Sequence, residues 1–147
     1  MKIEIIQQTS YAPELAYDYN ELLASLHMSP TWQHEPVDIQ ILCESQTSNF
    51  YLAMLAERAI GMATLVKPFD CLGHTTAMFE DVATHRDFRG RGVGSALVSF
   101  LTEEALALGA TRVELHRRDA RADAQRLYRR HGFETVETTL FRKDLMA

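Results

Sequence analysis

The sequence is poor in cysteine, proline and tryptophan, with 2 Cys, 4 Pro and 1 Trp in 147 residues. Two cysteines, Cys43 and Cys71, build no disulfide framework; both read as small reduced core residues, which suits a cytoplasmic protein. Four prolines and seven glycines exclude a collagen-like, low-complexity or linker-rich chain. No apolar run approaches the ~18 residues of a membrane span, so no membrane partner is expected. Met1 to Gln7 lacks the apolar stretch of a secretory signal. No internal repeat is visible. What is present is an ordinary globular balance, 46% hydrophobic and 24% charged. A chain of about this length buries roughly 68–70% of its unfolded surface, enough for a core without staples. One domain over residues 1–147 is expected.

The net charge is −5, unevenly spread. Residues 1–84 hold 3 Lys and Arg against 11 Asp and Glu, whereas residues 85–147 hold 12 against 9. An acidic first half beside a basic second half suits one part meeting a cation and the other an anion such as phosphate; solvated surface alone would give the same count. Overall acidity counts against nucleic acid as a main partner.

The pattern of apolar residues predicts alternating strands and helices. Ile3 to Gln7 reads as a short strand, and Leu15, Tyr19, Leu22, Leu23 and Leu26 make one helical stripe opened by Pro13. Pro36 opens a second short helix carrying Ile39, Ile41 and Leu42. Asn49–Ala56 and Ala59–Lys67 read as a hairpin around Glu57 and Arg58, Pro68–Gly73 as a loop, and His74–Thr84 as a further strand. Val93, Ala96, Leu97, Phe100, Leu101, Ala105 and Leu108 predict a long helix stopped by Gly109. Arg112–His116 is then a strand, and Ala120, Ala124, Leu127 and Tyr128 mark a last helix closed by Gly132. Phe133–Thr135 and Thr139–Lys143 read as closing strands. The class is α/β or α+β.

One segment carries chemistry: Glu80-Asp81-Val82-Ala83-Thr84, then His85 to Phe88, then Arg89-Gly90-Arg91-Gly92-Val93-Gly94-Ser95. A strand runs into a glycine-rich turn and straight into a helix. Glycines let backbone approach a ligand closely. The free N–H groups and positive dipole end of the helix form an anion site suited to a pyrophosphate, to which Arg89 and Arg91 add charge. A Walker loop is excluded because Gly94-Ser95-Ala96 has no lysine. A dinucleotide fingerprint fits poorly, since Ser95 stands where its third glycine belongs. About thirty residues on comes Ala124-Gln125-Arg126-Leu127-Tyr128-Arg129-Arg130-His131-Gly132-Phe133.

Arg-x-x-Gly-x-Gly followed by Ala-x-x-Leu-Tyr-x-x-x-Gly-Phe resembles the paired signature of the GNAT acetyltransferases, specifically from Glu80 to Phe133 and by element order over the whole chain. The resemblance implies the GNAT fold: a mixed, mostly antiparallel sheet of six to seven strands with helices on both faces. That sheet would be splayed where His74–Thr84 and Arg112–His116 part to admit acetyl-CoA. It implies that Arg89, Gly90, Arg91, Gly92, Val93, Gly94 and Ser95 bind the pyrophosphate of coenzyme A, and that Val82, Ala83 and Thr84 pair with the pantetheine arm as with an added strand. It also implies that Tyr128 lies near the cofactor sulfur. A phenol can donate a proton to a departing thiolate; the alternative is a core role, because Tyr128 shares an apolar stripe with Ala124 and Leu127, and the acid role is the one favoured within the motif.

An amine must lose a proton before it attacks a thioester, and Glu80 is the candidate base. Strand alternation puts Glu80, Val82 and Thr84 on one face and Asp81 and Ala83 on the other. Glu80 or Asp81 could instead hold the substrate ammonium. A backbone N–H of the same strand would stabilise the tetrahedral oxyanion. The expected reaction is acetyl transfer to a primary amine, on a small molecule or a peptide, by direct attack in a ternary complex. Neither cysteine lies in the motifs, so no acyl-enzyme is expected.

Arg121 stands where many relatives have asparagine before the alanine of the second motif. Arg121-Ala122-Asp123-Ala124 is similar to a bacterial subset that includes aminoalkylphosphonate N-acetyltransferases, and Glu80-Asp81-Val82 to glucosamine-6-phosphate N-acetyltransferases; both are too local to name a substrate. Arg121 is the further candidate for holding the cofactor. His27, Trp32 and His34 are candidate acceptor contacts. His74, His85, His116 and His131 lack metal spacing, so no metal is expected. Arg117, Arg118, Arg121, Arg126, Arg129 and Arg130 are dense enough to suggest an RNA face, but read better as a solvated helix side with one or two reaching the cofactor's phosphates. A homodimer is a possibility the family allows. A non-catalytic acyl-CoA-binding or partner-binding module is the alternative, and a toxin acting on charged tRNA is disfavoured by the acidic balance.

Overall fold

The structure, a computed structural model, describes residues 1–26, 35–117 and 122–146. Along the chain come β1 (Glu4–Gln7), α1 (Ala16–Ala24), α2 (Pro36–Glu44), β2 (Ser48–Leu55), β3 (Arg58–Cys71), β4 (His74–Thr84), α3 (Val93–Ala107), β5 (Arg112–Leu115) and α4 (Ala122–Arg130). The strands form one sheet in chain order: β1 to β4 are antiparallel, and β5 runs parallel to β4. This is a mixed α+β architecture. The parallel step needs a crossover, which α3 supplies.

Alternation along the strands sorts the core into two layers. Tyr51, Ala53, Ile60, Ala63, Leu65, Ala77 and Phe79 face α3 and α4, meeting Val93, Leu97, Val98, Leu101 and Tyr128. Phe50, Leu52, Ala59, Met62 and Ala83 face α1 and α2, meeting Tyr19, Leu22, Leu23 and Ile39. α1 is also pinned by a buried carboxylate. Asp18 takes the Arg58 guanidinium at 2.7 Å (Nη2) and 3.0 Å (Nε) and accepts the Ala59 N–H at 2.9 Å.

Three expectations are corrected. Pro68 to Cys71 is not loop: β3 runs on to Cys71, a register shift between Val66 and Phe69 accommodates the proline, and Leu72 (φ 48°) and Gly73 (φ 87°) make the tight turn. The sheet has five strands among the described residues, not six to seven, because Phe133–Thr135 and Thr139–Lys143 form no ladder. A strand-like composition gives a strand only where another strand takes its N–H and C=O groups.

The third concerns β4. Its register against β3 shifts between Met62 and Thr64, and Asp81 has φ 54°. This bulge adds one residue to β4 and reverses the alternation beyond it. Val82 packs on the α3 and α4 layer, whereas Glu80, next to Phe79 of that layer, projects from the opposite face beside its cross-strand partner Thr64. Glu80 and Val82 therefore do not share a face, and Ala83 joins the α1 and α2 layer.

Candidate active site

The β4–β5 ladder is short. It runs from Thr76–Arg112 to Phe79–Leu115 and stops. Val82–Thr84 lies beyond it, so on that side β4 offers backbone groups to something other than β5. The bulge at Asp81 marks where the two strands part.

The turn that follows opens α3. His85 begins it, its N–H bonded to the Ile60 carbonyl at 2.8 Å and its Nδ1 accepting the Asp87 N–H at 3.2 Å. Gly90 (φ 75°) and Gly92 (φ 85°) take left-handed backbone, and a Cβ at either would meet nothing within 4 Å. Conformation, not space, requires glycine there. At Gly94 space is tight instead: a Cβ there would stand 3.0 Å from Leu127 Cδ2 on α4, so that the leucine tip would have to give. No side chain caps α3, and its first turn holds no acid. The N–H groups of that turn, which have no intrahelical acceptor, point out beside Arg89 and Arg91, both exposed. Arg91 lies over the Phe88 ring, 5.4 Å from its centre. This arrangement fits a pyrophosphate: bare donors, a positive dipole end, two guanidinium groups and no competing carboxylate.

α4 stands against α3 and brings Tyr128 to the same end of the sheet. Tyr128 is 7% exposed and meets Phe133 edge to face at 5.6 Å. Arg117, just past β5, donates to the Tyr128 hydroxyl at 3.5 Å and lies 5.7 Å over its ring. A cation beside a phenol stabilises the phenolate left after proton donation. Ser95 and His131 share a hydrogen bond of 2.7 Å, tying the start of α3 to the end of α4.

On the other face Glu80 is half-buried. Desolvation raises its pKa above the ordinary carboxylate value, and the neighbouring Asp81 charge raises it further, against a smaller lowering by His116. Thr64, opposite Glu80, has a buried Oγ1 without a partner among the described residues.

The structure thus places Val82, Ala83 and Thr84 past the end of the β4–β5 ladder and Arg89 to Ser95 at the start of α3, with Tyr128 in the α3 and α4 layer and Glu80 on the opposite face of the sheet. Arg121, His27, Trp32 and His34 lie outside the described residues. Arg117, Thr64 and His131 were not singled out for this site by sequence. Only Arg117 carried a signal, its place directly after a strand expected to part from β4. Among the described residues, no three His, Cys, Asp or Glu side chains gather as a metal site. Among them, too, no helix is long and apolar enough to cross a membrane.

A sheet whose fourth and fifth strands part beside a glycine-rich helix start is the architecture of acyl-CoA N-acyltransferases. The model of the acetyltransferase (GNAT) family matches residues 16–133, and the chain belongs to that family. It is an acetyl-CoA-dependent acetyltransferase. An acetyltransferase of Yersinia enterocolitica is 24% identical over 147 residues, covering 99% of this chain and 96% of that one. A transcriptional regulator from Bacillus halodurans has the same fold, with a TM-score of 0.81 at 23% identity over 97% of this chain and 100% of that chain. So does a ribosomal-protein-alanine N-acetyltransferase from Brucella melitensis, with a TM-score of 0.77 at 16% identity over 98% of this chain and 100% of that chain.

Proposed function

We propose that this chain transfers the acetyl group of acetyl-CoA to a primary amine, by direct attack in a ternary complex. The observation that carries the reading is the early end of the β4–β5 ladder beside the uncapped start of α3. Together they offer an extended edge and an anion site to one elongated ligand. Backbone amides from Gly90 to Ser95, with Arg89 and Arg91, hold the pyrophosphate. Val82, Ala83 and Thr84 pair with the amide-bearing arm, as a strand edge pairs with a peptide. Arg121 is proposed as a further phosphate contact. Bound this way, acetyl-CoA supplies the activated acyl group.

The bulge gives the gap two chemically different sides. Glu80 faces it from the α1 and α2 layer, and Tyr128 from the α3 and α4 layer. Glu80 takes the proton of the incoming ammonium, directly or through water, and its raised pKa makes it a better base than an ordinary glutamate. Tyr128 donates to the departing sulfur, with Arg117 stabilising the phenolate. A backbone N–H of β4 near the bulge meets the negative charge developing on the thioester oxygen.

The acidic first half, with Glu80 and Asp81 at the gap, favours a cationic small amine or a peptide amino group as acceptor. Calorimetric titration with acetyl-CoA tests the first step; absence of binding at micromolar concentration would remove the reading. A thiol-release screen across polyamines, amino sugars, aminophosphonates and peptides tests the acceptor, and acidic amines outperforming cationic ones would reject the charge argument.

A further inference from the structure

Thr64 sits on β3 in the middle of the sheet, between Phe50 of β2 and Glu80 of β4. Its neighbours Ala63 and Leu65 pack toward α3 and α4, so Thr64 faces the α1 and α2 layer, as Phe50 and Glu80 do. It is 3% exposed, and its Oγ1 meets no hydrogen-bond partner among the described residues. A buried hydroxyl left unmatched costs stability, and valine would fill the same space without that cost. Packing therefore gives no reason for a hydroxyl here. Of the two side chains that the ladders set directly against it, only Glu80 is polar. Glu80 is short of a partner too: among the described residues, charges act on its carboxyl but no hydrogen bond does.

We propose that Thr64 positions the base, its hydroxyl holding the Glu80 carboxyl before and after proton transfer. The inference rests on the reading of Glu80 as the base. Facing residues of an antiparallel pair have Cβ atoms about 4.5–5.5 Å apart. A glutamate carries its carboxyl one methylene beyond Cβ, so rotation of that side chain brings an oxygen within hydrogen-bond reach of Oγ1. A hydroxyl both donates and accepts. It donates to the carboxylate that awaits the ammonium. An N–H bond of the ammonium then breaks, its electron pair stays on nitrogen for the attack, and an O–H bond forms at Glu80. The Thr64 oxygen accepts from that new O–H and itself neither gains nor loses a proton.

The other groups around Glu80 act through charge. Asp81 follows it on β4, and His116 stands past the end of β5. β3 and β2 add no charge at this point, since Thr64 and Phe50 do not ionise. Over the same layer, Asp18 and Glu21 of α1 are matched by Arg58 and Arg86, and Asp38 and Glu44 of α2 are exposed. Burial pushes Tyr19 up to about 12 and raises Cys43, while Tyr11 is the remaining titratable group there.

Titration of the unliganded protein, followed by NMR of the Glu80 carboxyl carbon, tests the contact without any acceptor. Thr64→Val removes the donor at nearly constant volume. It should raise the Glu80 midpoint by roughly 0.5–1 in pH, because the hydroxyl favours the ionised form over the neutral one. The melting temperature should stay the same or rise. Thr64→Ser should restore the midpoint, and Thr64→Ala should raise it, which keeps the test open if valine disturbs the packing. With the best amine of the thiol-release screen, Thr64→Val should lower kcat about tenfold and move the acid limb of the rate–pH profile up with the NMR midpoint. In a Glu80→Gln background it should do nothing further. A midpoint and an acid limb that stay in place in folded Thr64→Val and Thr64→Ala overturn the proposal, while a slow Glu80→Gln enzyme leaves the base standing. A Glu80→Gln enzyme at full speed removes the base itself, and the role of Thr64 with it.

Discussion

The starts of α2 and α3, on opposite faces of the sheet, treat their free N–H groups in opposite ways. α2 opens on its own acids: the Asp38 carboxylate accepts the Glu35 N–H at 2.8 Å, and Pro36 removes one donor from the first turn. α3 opens on glycine, with no cap and no acid. The flank around α2 has likewise matched its charges, Asp18 lying buried against Arg58 and the Ala59 N–H. Among the described residues two buried side-chain polar atoms lack a partner, Thr64 Oγ1 opposite Glu80 and His85 Nε2 in the turn before α3. A helix start that leaves its donors unmet costs stability on its own, and the proposed function gives the uncapped donors of α3 a partner that those of α2 do not need.

Changes on the open side should therefore appear in kinetics and changes on the closed side in stability. Tyr128→Phe is expected to lower kcat by about 10²–10⁴-fold while the melting temperature stays nearly unchanged, the size of a lost general acid. Steady-state kinetics with a good amine measures it, and unchanged turnover would reduce Tyr128 to core packing. Glu80→Gln is expected to lower the rate by at least ~10²-fold and to remove the acid limb of the rate–pH profile. Because the folded-state pKa of Glu80 is raised, that limb should lie above the ordinary carboxylate range. The sign for stability is the reverse: ionised Glu80 is a cost above its folded pKa, so the glutamine variant should be as stable or more stable there.

On the closed side, Asp18→Ala is expected to cost about 1–3 kcal/mol, since it leaves the buried Ala59 N–H without its acceptor while the half-exposed Arg58 guanidinium stays hydrated. Urea denaturation checks this, and kcat per folded molecule should not move. The sharpest test is to make α3 resemble α2. Ser95→Glu places an acid in the first turn of α3, and we expect acetyl-CoA to bind roughly 10–100-fold more weakly with the fold intact. Equal affinity would end the contrast between the two helix starts.

Local chemistry was the most legible part of the sequence. Gly90, Gly92 and Gly109 each reported a backbone requirement that depends on near neighbours, so the turn and the limits of α3 could be read directly. Tyr128 was readable from its spacing to Gly132 and Phe133. The parity of β4 was not, because Asp81 gives no residue-level sign that it takes left-handed backbone. Arg117 resembled its arginine neighbours until folding set it over the Tyr128 ring. Pro68 signalled a loop, but a bulge absorbed it. Thr139–Lys143 has strand composition but pairs with no strand among the described residues, which no reading of residue type could foresee.

A Cβ at position 94 would stand 3.0 Å from Leu127 Cδ2, tighter than side chains ordinarily approach. The choice at one position therefore bears on the other: a methyl group at 94 asks the leucine tip on α4 to give by a few tenths of an ångström. Two short words of sequence, some thirty residues apart, meet at that contact.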